Sequence, residues 1–254
     1  RHSLYQAIGQ IRTGSRGLHV LDFGAGTGNL TWHLLELQSS VVAADVSPIS
    51  LEQLKLKLRS SDRLQTMLLN GNDLSNIGEN NFDMVATYSV LHHIPDYLKI
   101  IDEFIRVVKP GGIIYIDHEA SSSYWAESEP YLSYLEELGE PFRQTHLMEL
   151  DIRDKKKGYG AHLMTRLKKA LSHGKMSGSL LRKFDLIDDE VDIHVYKNDH
   201  IEWDKIRSKV MPHCEILIES EYLVCRERDE KPIVLEKWRD KCVDMHLMVV
   251  RKRS

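Results

Sequence analysis

Cysteine is scarce in this chain. Cys214, Cys225 and Cys242 are its only three among 254 residues, far apart and never in a CxxC pair. That spacing argues against a disulfide framework and a cysteine-built zinc cluster, and it fits a reducing compartment such as the cytoplasm. Long hydrophobic runs are missing too. No stretch reaches the roughly 18 unbroken apolar residues that span a bilayer, so no integral membrane segment is expected. The opening "RHSLYQAIGQIRTGSRG" lacks the apolar centre of a secretory signal, and it begins with Arg rather than Met, which leaves room for native residues ahead of it. Neither sign of charge dominates. A net charge of −4 with 42% apolar residues describes an ordinary globular protein and names no partner. Internal repeats and low-complexity tracts are also absent.

What is present is alternation. "LHVLDF" is a short apolar run that ends at a glycine loop, and residues 29–37 have helical spacing. "VVAAD" predicts a second buried strand. Ser47 is placed to cap the next helix, with Pro48 at its first position. "LQTMLLN" and "FDMVATYSV" predict strands three and four, a helix then runs to Val108 with "KPGG" as its stop, and "IIYIDHE" predicts strand five. Strands joined by helices give a doubly wound, mostly parallel sheet covered on both faces. The pattern breaks over residues 120–192, where amphipathic helices fit better. It resumes with "HIEWDKIRSKVM", "CEILIESEYLVC" and "DMHLMVVRK". The chain between the last two strands is too short for a parallel crossover, so the last strand is expected antiparallel.

The loop "VLDFGAGTGNL" must turn sharply from strand to helix while a ligand approaches its backbone, which glycine permits. Helix N-terminal amides then face that ligand. Gly24, Gly26 and Gly28 read GxGxG, and Asn29 stands where the dinucleotide fingerprint GxGxxG has its third glycine. Asp45 ends the second strand, near the interval at which an acid accepts from ribose hydroxyls. A solvated Asp ahead of a Ser-Pro cap is the plainer explanation. It loses ground because Asp45 and the loop fall on neighbouring strand ends, as one nucleoside requires.

Together, "VLDFGAGTG", "VVAADVSPISLEQ", "NGNDL", "FDMVATYSVLHHIPD" and "VVKPGGIIYIDH", in that order, resemble the class I S-adenosylmethionine (SAM) dependent methyltransferases, especially the small-molecule group that includes quinone-biosynthesis enzymes. The likeness covers residues 18–118 and the closing pair of strands. It implies a seven-stranded Rossmann-like α/β sheet with strand seven antiparallel. It implies SAM as cofactor and S-adenosylhomocysteine (SAH) as product. By position, Gly24, Ala25, Gly26 and Gly28 would face the amino-acid end of SAM. Asp45 would hold the ribose, Val46 would pack on adenine, and Asp22 would orient the loop and approach the amine. The adenine-side loop Gly71-Asn72-Asp73-Leu74 is one residue shorter than the family's commonest form, so Asn72 and Asp73 both stand as acceptors for the adenine amine. Tyr88 would border the methionine portion and the acceptor.

Methyl transfer from a sulfonium is an in-line displacement that depends first on alignment. A base helps where the acceptor carries a proton. His118, flanked by Asp117 and Glu119 where strand five meets the cleft, is the best base candidate, because imidazole titrates near neutral pH and a carboxylate can fix its tautomer. His93 after strand four and His194 in "VDIHVY" are the other catalytic and substrate-side candidates. No metal is expected, because neighbouring strand residues point to opposite faces and His92-His93 lack one-turn spacing. Residues 120–192 are expected to form a helical lid or substrate insertion in a methyltransferase domain made of 1–119 and 193–254. Within it, Tyr124 and Trp125 would wall the acceptor pocket, and "AHLMTRLKKALSHGK" predicts an amphipathic helix.

The expected activity is methyl transfer to O, N or C of a small organic molecule. Nucleic-acid or protein methylation, a nicotinamide-dependent oxidoreductase and a non-catalytic subunit of this fold are the rivals. Nucleic acid is disfavoured, because acidic blocks flank the one basic stretch and no NPPY-like run occurs. The sequence leaves the oligomeric state open, a homodimer included.

Overall fold

A computed structural model describes residues 2–11, 17–59, 61–126, 128–139, 201–224 and 232–254. The chain divides into two compact units, residues 1–134 with 201–254, and residues 135–200. The first holds a seven-stranded sheet in the order β3-β2-β1-β4-β5-β7-β6.

β1 (His19–Phe23) lies between β2 (Ser40–Asp45) and β4 (Phe82–Tyr88), parallel to both, and β3 (Leu64–Leu68) pairs parallel outside β2. β5 (Val108–Ala120) pairs parallel with β4, while β7 (Met245–Lys252) runs antiparallel to both β5 and β6 (Cys214–Tyr222). The antiparallel last strand is thus as the sequence requires. β5 is longer than expected. The "KPGG" run, read as a helix stop, already belongs to the strand, because Phe82 pairs with Val108 and the register shifts before Met84 resumes opposite Ile113.

The helices form where local signals ask for them. α3 (Pro48–Leu58) starts at Ser47, whose hydroxyl accepts from the Ser50 N–H. α4 (Tyr97–Val107) starts at Asp96, which accepts from the Lys99 N–H, and it buries Tyr97, Ile100, Ile101, Phe104 and Ile105 along one stripe. α2 (Asn29–Glu36) follows Gly28 without a side-chain cap. α7 (Trp203–Val210) buries Trp203, Ile206 and Val210, and α8 (Pro232–Trp238) joins β6 to β7. One element was not expected. α1 (His2–Ile11) turns the opening stretch into a helix that buries Leu4, Ala7 and Ile8. Their spacing places them on one face. α5 (Ser122–Trp125) and α6 (Glu129–Leu138) follow β5.

Two core layers sandwich the sheet. Leu21, Phe23, Val85, Ile114 and Ile116 meet Phe104 and Ile101 on one face; Val20, Ala43, Met84 and Tyr115 meet Leu34 and Leu54 on the other. Each fully buried aliphatic or Phe side chain here contributes about 1.5–3 kcal/mol by leaving water. This rigid double layer positions the strand ends, where the polar residues gather. Among the described residues, no helix is long and apolar enough to cross a membrane.

Candidate active site

At the carboxyl end of β1 the chain turns through the glycine loop. Gly24 has φ +72°, and a Cβ there would sit 2.5 Å from both Val90 γ-carbons, so glycine is required twice over. Its N–H and that of Ala25 donate to the Ala44 carbonyl at 2.8 and 3.0 Å. Gly26, φ +52°, donates its N–H to Asp45 Oδ2 at 2.8 Å, and a Cβ on it would meet nothing within 4 Å. The Gly28 N–H closes back on Ala25. These four amides hold the loop itself. Donation to a ligand therefore falls to the uncapped first turn of α2 rather than to the glycines.

Asp45 closes the loop from the end of β2. Its Oδ1 accepts from the Ser47 N–H at 2.8 Å while Oδ2 takes Gly26. An ionised carboxylate offers roughly four acceptor sites, so about half remain for hydroxyl groups. Beside it, Val46 is 60% exposed, and a Cβ on Gly71 would lie 3.8 Å from its γ-carbon. The strand-two acid, an exposed apolar side chain and the strand-three loop therefore meet in one place.

In that loop the two acceptor candidates differ. Asp73 Oδ1 takes the Asn70 amide at 3.0 Å and the Ser75 hydroxyl at 2.7 Å, and these bonds hold its carboxyl down at about 2. The Asn72 side chain makes one bond, from Nδ2 to the Asn70 carbonyl at 3.4 Å, so its oxygen is unspent. Leu74 is fully buried in the core, and its N–H donates to Glu103 Oε2 at 2.9 Å. Arg106 ties the same segment down by donating to the Leu74 and Ile77 carbonyls at 2.9 and 2.8 Å.

Asp22 lies behind the loop, 1% exposed, and accepts from the Thr31 hydroxyl at 2.5 Å. Desolvation, only partly offset by the Thr31 bond, pushes its carboxyl up to about 7. A buried, reluctant anion of this kind gains most from a nearby cation.

The end of β5 carries a bulge. β5 slips against β7 between Ile116 and Glu119, and His118 occupies the left-handed region with φ +62°. Strict alternation would put Asp117 and Glu119 on one face; the extra residue sends them to opposite faces. Asp117 accepts from Tyr115 Oη at 2.5 Å and Tyr222 Oη at 2.8 Å. Glu119, fully buried, accepts the N–H groups of Val90 and Leu91 at 2.8 and 2.7 Å and lies 2.6 Å from His92 Nδ1. His118 stacks on Tyr88 with ring centres 4.7 Å apart and planes 8° from parallel. Burial and Asp117 push the Tyr88 phenol up to about 12, so it stays protonated at neutral pH.

Of the histidines named from sequence, His118 is at the strand end as expected. His93 is exposed with its ring 4.0 Å from that of His92. His194 and the amphipathic helix expected from Ala161 lie outside the described residues. Tyr124 is half-buried and Trp125 buried, and they join Tyr131 in an aromatic cluster with centroid separations of 4.8 and 5.7 Å. Sequence reasoning missed Glu119 as the anchor of the His92 turn and missed Tyr222 altogether. Among the described residues, no three His, Cys, Asp or Glu converge as metal ligands would.

Comparison with known proteins covers the first part of this geometry. Residues 21–114 match a methyltransferase domain family. Over those residues the chain is similar to class I SAM-dependent methyltransferases. Demethylmenaquinone methyltransferase of Lactococcus lactis is 35% identical over 117 residues, 44% of this chain and 46% of that one. Ubiquinone biosynthesis O-methyltransferase of Xanthomonas campestris is 33% identical over 101 residues, 39% of this chain and 42% of that one. The chain therefore spans less than half the length of these curated relatives. Solved structures agree on the fold. A SAM-dependent methyltransferase from Methanosarcina mazei superposes with TM-score 0.56 at 15% identity, covering 94% of each chain. An S-adenosylmethionine dependent methyltransferase from Listeria monocytogenes gives 0.58 at 16%, covering 100% of this chain and 97% of that one.

Proposed function

We propose that the protein transfers the methyl group of SAM to a heteroatom or carbon of a small organic molecule, with quinone-type acceptors the nearest chemical class among its relatives. One observation carries this reading. Asp45 is tethered by Gly26 and Ser47, keeps acceptor sites for a ribose, and stands between the glycine turn and the exposed Val46 side chain, near which a Cβ on Gly71 would lie. Those neighbours suit the two ends of one adenosyl sulfonium. The residues present fit SAM: open space faces Gly26, an exposed aliphatic face is offered by Val46, Asn72 has an unspent oxygen for the adenine amine, and the buried Asp22 awaits positive charge. Bound there, SAM supplies an electrophilic methyl.

The chain's own part is placement and proton handling. The loop amides fix the glycine turn before any ligand arrives, so little reorganisation is needed on binding. Tyr88 holds the His118 ring flat beside the mouth of the cleft, where its imidazole takes the proton of a hydroxyl or amine acceptor. Tyr124 and Trp125 wall the acceptor side. His93 is a further acceptor-side contact. The deciding experiment is incubation of the protein with tritiated-methyl SAM and a metabolite extract, followed by mass spectrometry of the labelled product. A single labelled small molecule supports the reading; label only in RNA or protein, or in nothing, overturns it.

A further inference from the structure

Between β3 and β4 the chain covers residues 69–81 without a helix or strand of its own. Backbone groups in such a stretch need partners from elsewhere, and one face of α4 supplies them. Lys99, Glu103 and Arg106 stand at i, i+4 and i+7 on that helix, which places them on one face. The Arg106 guanidinium donates to the Leu74 and Ile77 carbonyls at 2.9 and 2.8 Å, and to the two Glu103 oxygens at 2.9 and 2.8 Å. Glu103 Oε2 also takes the Leu74 N–H at 2.9 Å. Lys99 Nζ lies 3.4 Å from the Asn72 carbonyl and 3.9 Å from Asp73 Oδ2. Further along, the Asn80 N–H donates to the Arg106 carbonyl at 3.0 Å. The Arg106 bond holds the Glu103 carboxyl below its usual range, so it accepts as an anion at neutral pH. The tip of the loop keeps its own shape, because Asn70 Oδ1 accepts the N–H groups of Asn72 and Asp73 at 2.8 and 3.1 Å. Its place against the sheet is set from two sides: the Leu69 N–H donates to the Asp45 carbonyl, and α4 grips residues 72–80.

We propose that Glu103 and Arg106 are positioning residues for the nucleoside end of the cofactor, holding the strand-three loop where Asn72 and Asp73 meet the adenine amine beside Val46. The proposal rests on the cleft being a SAM site. It assigns the α4 pair to cofactor selection and not to the transfer step, because their side-chain bonds go to the loop and to one another. Arginine is needed for this. Its planar fork serves two carbonyls and a carboxylate together, whereas a lysine ammonium is a single point of charge on a flexible stem.

The test compares SAH with S-inosylhomocysteine, which carries an oxygen in place of the adenine amine, by calorimetry on the parent, Arg106→Gln and Arg106→Lys. A loop that accepts from the amine makes the parent prefer SAH by about tenfold or more, the usual worth of one such bond with its partner left unpaired. Both variants are expected to bind SAH about tenfold more weakly and the inosine analogue within about threefold of the parent, so the preference shrinks to about threefold or less. Arg106→Lys keeps the charge beside Glu103 and carries the test should the Gln variant fold poorly. A parent that binds both ligands equally, or variants that bind more weakly yet keep the full preference, overturns the proposal. So does an equal collapse of the preference in Asp83→Asn, whose bonds to the His19 N–H and to Lys109 lie at the opposite end of the sheet, since general softening would then suffice. Absence of SAH binding to the parent instead overturns the reading of the cleft beneath it.

Discussion

Replacing Asp22 with Asn should make the ligand-free protein more stable above neutral pH. Asp22 is 1% exposed, and burial carries its carboxyl from 3.8 to about 7. Because the folded value is raised, the native state binds more protons than the unfolded chain between about pH 4 and 7, so stability falls as pH rises through that window. A shift of about three units at 1.36 kcal/mol each amounts to roughly 4 kcal/mol, absent near pH 4 and fully developed above pH 7. The Asn side chain keeps the shape and still accepts from Thr31, but it carries no charge to desolvate. Urea unfolding of parent and variant followed by circular dichroism from pH 4 to 8 reads the difference. The variant is expected to match the parent near pH 4, gain about 1.4 kcal/mol per pH unit, and level off above pH 7. A pH-independent difference, or a variant less stable at pH 8, would refute the argument. The penalty has a use. A bound ammonium or sulfonium relieves it, so saturating SAM should stabilise the parent more than the Asn variant at pH 8 and equally near pH 4.

Further substitutions separate shape from chemistry. Asp45→Ala should weaken SAM by roughly 1–3 kcal/mol, the usual worth of charged hydrogen bonds, as read by calorimetry; unchanged affinity would place the ribose elsewhere. His118→Gly should be about 1 kcal/mol more stable than His118→Ala, because only the former is at ease at φ +62°, while both lose turnover at saturating SAM. Equal melting temperatures would show that the bulge is unstrained. Glu119→Ala should destabilise by about 3–5 kcal/mol in urea unfolding, since it strips the partner from buried N–H groups of Val90 and Leu91 and from His92. A loss under 1 kcal/mol would mean water replaces the carboxylate readily.

The parts of this fold legible in the sequence are those with local signatures. The glycine turn, the Ser47-Pro48 cap and the antiparallel closing strand each follow from residues near one another in the chain. Helix α1 had its signal in the spacing of Leu4, Ala7 and Ile8. The bulge at His118 defeated period-two reasoning. A single left-handed residue reverses the facing of everything after it, so Glu119 serves the β4 loop and not the histidine beside it. Tyr222 had no local signal at all, because its meeting with Asp117 depends on the register of two antiparallel strands more than 100 residues downstream. The difference between Asn72 and Asp73 likewise needed coordinates, in which Asn70 and Ser75 both donate to Oδ1 of Asp73.

One titration bears most directly on the whole account: SAH injected into the ligand-free protein in a calorimeter, with NAD as the comparison. Saturable one-to-one heat for SAH, strongly diminished in Asp45→Ala and absent for NAD, is the expected result. Saturable heat from NAD alone, or none from SAH and SAM, would contradict it.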